Sequence, residues 1–149
     1  IKGDRYRSRL ISKIMFGAYN KHIKNVRTVN DWLTRDEAVV DEYNAGKLTT
    51  FMFTVNGYRG LMNMILYVRK PRNIERIPKN LPMLMISGLD DPVGEYGKGV
   101  YRAYNSDQGH VDDIDLRLYE DCRHELCNEL NKEEIYEEIY GWIMNHMSK

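Results

Sequence analysis

The sequence predicts an α/β protein with its helices gathered first and its sheet last. Apolar residues recur with a helical period between residues 4 and 70, without a convincing strand. From Leu81 the pattern changes to strand–helix–strand–helix. At the change stands LPMLMISGLDD, residues 81–91, a short apolar run that stops at Gly88 and is followed at once by Asp90 and Asp91. The chain therefore divides into residues 1–70 and residues 71–149.

Composition narrows the function classes. A length of 149 residues fits one domain. The 22 basic residues balance 22 acidic ones, which argues against a general nucleic-acid or membrane-surface binder. No apolar run approaches the roughly 20 residues that a transmembrane helix needs. The amino end, IKGDRYRSRL, has no signal-peptide pattern, and a start at Ile1 rather than Met hints at truncation or processing. Two cysteines, Cys122 and Cys127, suit free thiols in a reducing cytoplasm. They flank His124, and His110, Asp112 and Asp113 lie nearby, but the spacing is not that of a zinc site. No metal or cofactor is expected.

The first half reads as three helices. Leu10, Ile11, Ile14, Met15, Ala18 and Tyr19 share one face of a helix over residues 4–20, with Arg5, Arg7, Arg9 and Lys13 mostly on a solvated side. Thr34 to Glu37 reads as a capping box starting a second helix that ends near Tyr43, with Gly46 as its stop. Trp32, just before that cap, reads as a packing anchor. Phe51, Val55, Tyr58, Leu61, Met62, Ile65 and Leu66 mark a longer third helix that Pro71 ends. Met15, Met52, Met62 and Met64 supply adaptable thioethers, which suit a core or an apolar pocket.

The second half begins after the proline-bearing connector 71–80. Residues 81–86 read as a strand buried on both faces. The helix after Asp91 carries Tyr96, Val100, Ala103 and Tyr104, and the glycines near it lack the spacing of a phosphate loop. Residues 106–109 read as a loop. Ile114, Leu116 and Leu118 alternate with Asp115 and Arg117 in a second strand over residues 113–119, exposed on one side. Asn131 is placed to cap a last helix whose stripe is Ile135, Ile139, Trp142 and Ile143.

A right-handed crossover should join the two strands in parallel, about 4.8 Å apart. Ligands and chemistry in open α/β sheets collect past the carboxyl ends of strands. There Asp91 and His124, 33 positions apart, can meet. A carboxylate bonded to one imidazole nitrogen fixes the tautomer and leaves the other nitrogen to act as a base.

LPMLMISGLDDPVGEYGKGV, LRLYEDCRHELCNE and the closing amphipathic helix together resemble the carboxyl-terminal half of serine α/β-hydrolases. The nearest branch is that of monoacylglycerol lipases and lysophospholipases, the serine aminopeptidase-like group. The resemblance implies a partial α/β-hydrolase fold: a helical cap, or lid, over residues 1–70, followed by two parallel β/α units. It implies Asp91, three residues past Gly88, as the triad acid and His124 as the triad histidine. It implies a small acyl-ester substrate and an acyl pocket bordered by the cap, with Met15, Phe51 and Met62 on its apolar faces.

The family's G-x-S-x-G nucleophile elbow is absent. Ser8, Ser12, Ser87, Ser106 and Ser148 all lie outside such a motif. Because the triad runs serine, acid, histidine along the chain, the nucleophile is expected upstream of residue 1. The chain alone is then expected to be inactive, and to need an amino-terminal half or an oligomeric partner to complete its sheet. A different class remains open at this stage: a non-catalytic α/β domain that binds a ligand or partner. Cys122 as a nucleophile beside His124 has poor geometry, two residues away in one tight loop.

Overall fold

A computed structural model describes residues 3–147. In chain order the elements are α1 (Arg9–Phe16), α2 (Glu37–Ala45), α3 (Val55–Val68), the single turn α4 (Pro71–Ile74), β1 (Met83–Gly88), α5 (Lys98–Asp107), β2 (Ile114–Tyr119), a 3-10 turn (Leu126–Asn128) and α6 (Lys132–Met147). The described residues before β1 contain no strand.

The helix ends follow local chemistry. Ser8 caps α1 by accepting from the Ile11 amide, and Gly17 closes it, so this helix is shorter than residues 4–20. Asp36, not Thr34, caps α2: its carboxylate accepts from the amides of Ala38 and Val39. Thr34 is committed elsewhere, its hydroxyl donating to the Asn128 carbonyl at 2.8 Å, across to the second half of the chain. Thr54 caps α3 through the Gly57 amide. Pro71 opens α4, where a missing N–H costs nothing. Asn131 stands directly before α6, its carbonyl accepting from the Ile135 amide at 3.4 Å, while its carboxamide oxygen accepts from Arg35 at 2.8 Å and from the Cys122 thiol at 3.3 Å.

β1 and β2 pair in parallel from Met83 opposite Ile114 to Gly88 opposite Tyr119. The main core lies under their carboxyl ends. Cys122, Leu126 and Ile135 are buried there, with Ile86, Tyr119 and Ile139 packed against them. Only the last two residues of β1 are buried, and Met83 to Ile86 are half-buried, so the described residues do not cover the strand on both faces. The apolar stripes of the helices are likewise partly bare. Leu10 and Ile14 on α1 are 68% and 72% exposed, and Ile143 at the end of the α6 stripe is exposed too. Nothing among the described residues covers them.

Gly88 brings the two loops at the sheet edge together. A Cβ there would overlap the carbonyl oxygens of Cys122 and Arg123, so the backbone of the loop after β2 lies directly on the last residue of β1. The Asp90 amide donates to the Cys122 carbonyl at 2.8 Å and locks that approach.

Candidate active site

Asp91 leaves β1 in a tight turn. Its amide donates to the Gly88 carbonyl at 3.3 Å, and its Oδ1 accepts from the Val93 amide at 2.8 Å, an Asx turn that orients the carboxylate. The side chain is buried. Its second oxygen, Oδ2, meets Nδ1 of His124 at 3.1 Å. The neighbouring Asp90 is exposed and takes no part. The His124 side chain is 37% exposed, and its Nε2 has no hydrogen-bond partner among the described residues. With Nδ1–H donated to the carboxylate, the ring is held in the tautomer whose Nε2 carries a lone pair.

The electrostatics follow the same geometry. The hydrogen bond to Asp91 raises the His124 pKa above that of a free histidine; partial burial opposes it, and the charge of Asp91 adds to it. Tyr19 and Tyr96 stand close enough to feel the same carboxylate. Burial first, and then the charge of Asp91, raise the Tyr19 hydroxyl; burial, Asp90 and Asp91 raise that of Tyr96.

The loops carrying the pair hold three of the four described non-glycine residues with left-handed backbone: Glu95 and Tyr96 after Asp91, and Asp121 before His124. Such conformations cost on the order of 1 kcal/mol each and persist where surrounding contacts over-determine them.

A run of rings leads away from His124. Trp32 packs against the imidazole with centroids 5.1 Å apart, and Tyr19 meets Trp32 edge-on at 4.8 Å. Phe16, Tyr58, Phe53 and Phe51 continue the series, each within about 6.5 Å of the last, an ordinary aromatic spacing. Phe51 is thus the far end of this row, half exposed, while Met15 on α1 and Met62 on α3 are half-buried. Trp32 does more than anchor the following helix, since it touches the histidine itself. No local pattern distinguishes those two roles, because the contact spans 92 positions.

The alternative nucleophile is poorly placed. The Cys122 thiol is fully buried, and burial together with the charge of Glu129 raises its pKa, which keeps it protonated. Among the described residues no three His, Cys, Asp or Glu side chains gather as a metal-ligand set. No helix of the described residues is long and apolar enough to cross a membrane.

Parallel strands with an acid after one, a histidine after the next and a closing helix define part of an α/β-hydrolase fold. Comparison with known proteins agrees. The family model described as serine aminopeptidase, S33, matches residues 3–131, and the chain belongs to that family. Among solved structures it is similar to a highly thermostable carboxyl esterase from Bacillus coagulans in complex with glycerol, with 22% identity and a TM-score of 0.82 over 97% of this chain and 46% of that one. It is similar to a lipase in its open form at 19% identity and a TM-score of 0.84, over 97% of this chain and 47% of that one. A soluble variant of monoglyceride lipase from Saccharomyces cerevisiae, in complex with a substrate analogue, matches at 16% identity and a TM-score of 0.60, over 91% of this chain and 49% of that one. The chain spans about half the length of these structures. No curated protein matches it.

Proposed function

We propose that this chain supplies the acid and the base of a serine hydrolase of carboxylic esters, whose nucleophilic serine lies on a segment preceding residue 1. The observation that carries the reading is the buried Asp91 carboxylate bonded to His124 Nδ1 at 3.1 Å, with Nε2 left without a partner among the described residues. In this reading the serine hydroxyl gives its proton to Nε2 as its oxygen attacks the ester carbonyl carbon. Asp91 stabilises the resulting imidazolium. The tetrahedral intermediate collapses, the C–O bond to the alcohol breaks, and Nε2–H returns the proton to the departing alkoxide. Water, deprotonated by Nε2, then attacks the acyl-enzyme, and the carboxylic acid and the free serine are released.

Residues 1–70 act as the lid. Met15, Phe51 and Met62 line the acyl-binding side, and monoacylglycerol- or lysophospholipid-like esters are the substrates. Family membership and the esterase and lipase neighbours support this reading, and the balanced charge suits a neutral or zwitterionic ester. The cytoplasm is the proposed location, in keeping with two free thiols.

The test is reconstitution. The 149-residue chain should show no hydrolysis of a short-chain aryl ester or of a monoacylglycerol, and light scattering should find it associated. Activity should appear when a segment bearing G-x-S-x-G precedes it. A 17.6 kDa monomer that cleaves the ester would overturn both the missing serine and the need for a partner.

A further inference from the structure

The buried Glu129 carboxylate has no part in the reaction just described, yet it sits at the centre of the contacts that hold the His124 loop. The residue is fully buried. Its Oε1 accepts from the Arg123 amide at 2.7 Å, one residue before His124, and its Oε2 accepts from Arg35 Nε at 2.9 Å. The Arg35 amide lies 3.3 Å from both oxygens, and the Leu130 amide 3.3 Å from Oε2. The fork of Arg35 reaches on to Asn131. Burial pulls the Arg35 guanidinium down, and the hydrogen bond and charge of Glu129 more than reverse it.

Residues 31–35 are laced to the same loop on its other side. The His124 amide donates to the Trp32 carbonyl at 3.4 Å, and the Glu125 amide to the Leu33 carbonyl at 2.7 Å. The Arg123 guanidinium donates to the carbonyls of Asp31 and Thr34 at 2.7 and 2.9 Å. Trp32 covers the imidazole. A buried carboxylate is costly unless it is fully bonded, and an ion pair of this kind is often no more stable than apolar residues of the same volume. What it provides here is a fixed direction: four donors, one of them shared between the two oxygens, converge on the carboxylate and join residues 94 positions apart.

We propose that Glu129 and Arg35 are positioning residues for the Asp91–His124 pair, the buried carboxylate setting the Arg123 amide and residues 31–35 against each other and so fixing where the His124 ring stands. This rests on the reading of His124 as the base. The consequence is that catalytic geometry is set jointly by residues 31–35 and by the loop after β2.

The experiment is a set of variants in the intact protein, each read by imidazole NMR and by steady-state hydrolysis of an aryl ester. Glu129→Gln keeps shape and removes charge. Arg35→Lys keeps charge and removes the fork. The double variant Glu129→Leu with Arg35→Met replaces the pair with apolar volume, so it retains a fold should a single variant lose it. Expected in each folded variant is a fall in kcat of about 10- to 100-fold with KM within about twofold, as sub-ångström misplacement of a base produces. The His124 titration midpoint should move toward that of a free histidine at the same time. Folded variants with unchanged His124 titration and unchanged kcat would overturn the proposal. The NMR titration decides positioning even if His124→Ala shows that His124 is not the base, so the two readings fail separately.

Discussion

Two acid–histidine pairs sit at opposite ends of the same two-stranded sheet. Asp91 and His124 follow the carboxyl ends of the strands, with Nδ1 and Oδ2 3.1 Å apart. Asp113 precedes β2, and His146 stands in the last turn of α6, with Nε2 and Oδ2 3.3 Å apart. By distance alone they are nearly equal. They differ in what else each ring does. His124 has one nitrogen on the acid and the other without a partner among the described residues. His146 has both committed: Nδ1 lies 2.7 Å from the Trp142 carbonyl, Nε2 faces Asp113, and the ring stacks on Trp142 at 4.1 Å. Trp142 in turn donates to Asp115 at 2.7 Å. A base needs a nitrogen to spare. The second pair is a clasp that holds α6 to β2, beside a groove of about 290 Å³ lined by Trp142, Leu84 and Tyr119.

The largest effect should separate the pairs outright. In the intact protein, His124→Ala should lower kcat for an aryl ester by about 10⁴-fold or more, as removal of a triad histidine does. His146→Ala should leave kcat within about threefold and instead lower stability by about 1–2 kcal/mol in urea melts. Equal losses of activity in the two variants would erase the distinction drawn from the committed nitrogen.

The same contrast shows what was legible in the sequence. The family resemblance, which puts the acid three residues past Gly88, singled out Asp91 over Asp90, and an apolar run ending in a glycine and carboxylates marked the sheet edge. Those signals are local, and the structure places Asp91 beside His124. Contacts made across the chain were not legible. Thr34 has the form of a capping residue, but its hydroxyl donates to the Asn128 carbonyl and accepts from the Asp36 amide, and it is the Asp36 carboxylate that caps α2. Glu129 reads as one more acid before a helix; its burial and its four donors, the amides of Arg123, Arg35 and Leu130 and Nε of Arg35, appear only in the folded chain. Leu10 and Ile14 follow helical periodicity faithfully and still face outward, because periodicity reports a face and not what covers it.

A glycine lies beside each pair, and the two should respond with opposite sign. Gly88→Ala would drive a methyl group into the carbonyls of Cys122 and Arg123, which are backbone and tied to the His124 loop. A loss of about 3 kcal/mol or more is expected, with the folded yield falling accordingly. Gly141 is inside α6, one residue before Trp142, and a Cβ there meets nothing within 4 Å. Gly141→Ala should raise stability by about 0.5–1 kcal/mol, since alanine loses less entropy on entering a helix. A neutral Gly88→Ala would mean that the loop after β2 is not pressed against the strand end.

The smallest effect is the pH dependence of the first pair, and its two readouts should run in opposite directions. The hydrogen bond from Nδ1 to Asp91 raises the folded-state pKa of His124 above its unfolded value, which lies near 6.5. A group raised in this way contributes stability that is fully present below the unfolded pKa and is lost as pH rises through the folded one. The wild-type advantage over Asp91→Asn should therefore be largest on the acid side of about pH 6.5 and shrink toward alkaline pH. Catalysis needs the neutral ring, so kcat/KM should rise over the very interval in which this stability is lost, with its acid limb above that of a free histidine. The ring's 37% exposure lets solvent screen the pair and keeps the stability change small beside the preceding effects. Urea melts of the two proteins between about pH 5.5 and 8.5, set beside a kcat/KM profile over the same range, test both signs. A wild-type advantage that grows with pH would show that His124 is neutral in its bond to Asp91 throughout, and the imidazolium assigned to the first pair would lose its support.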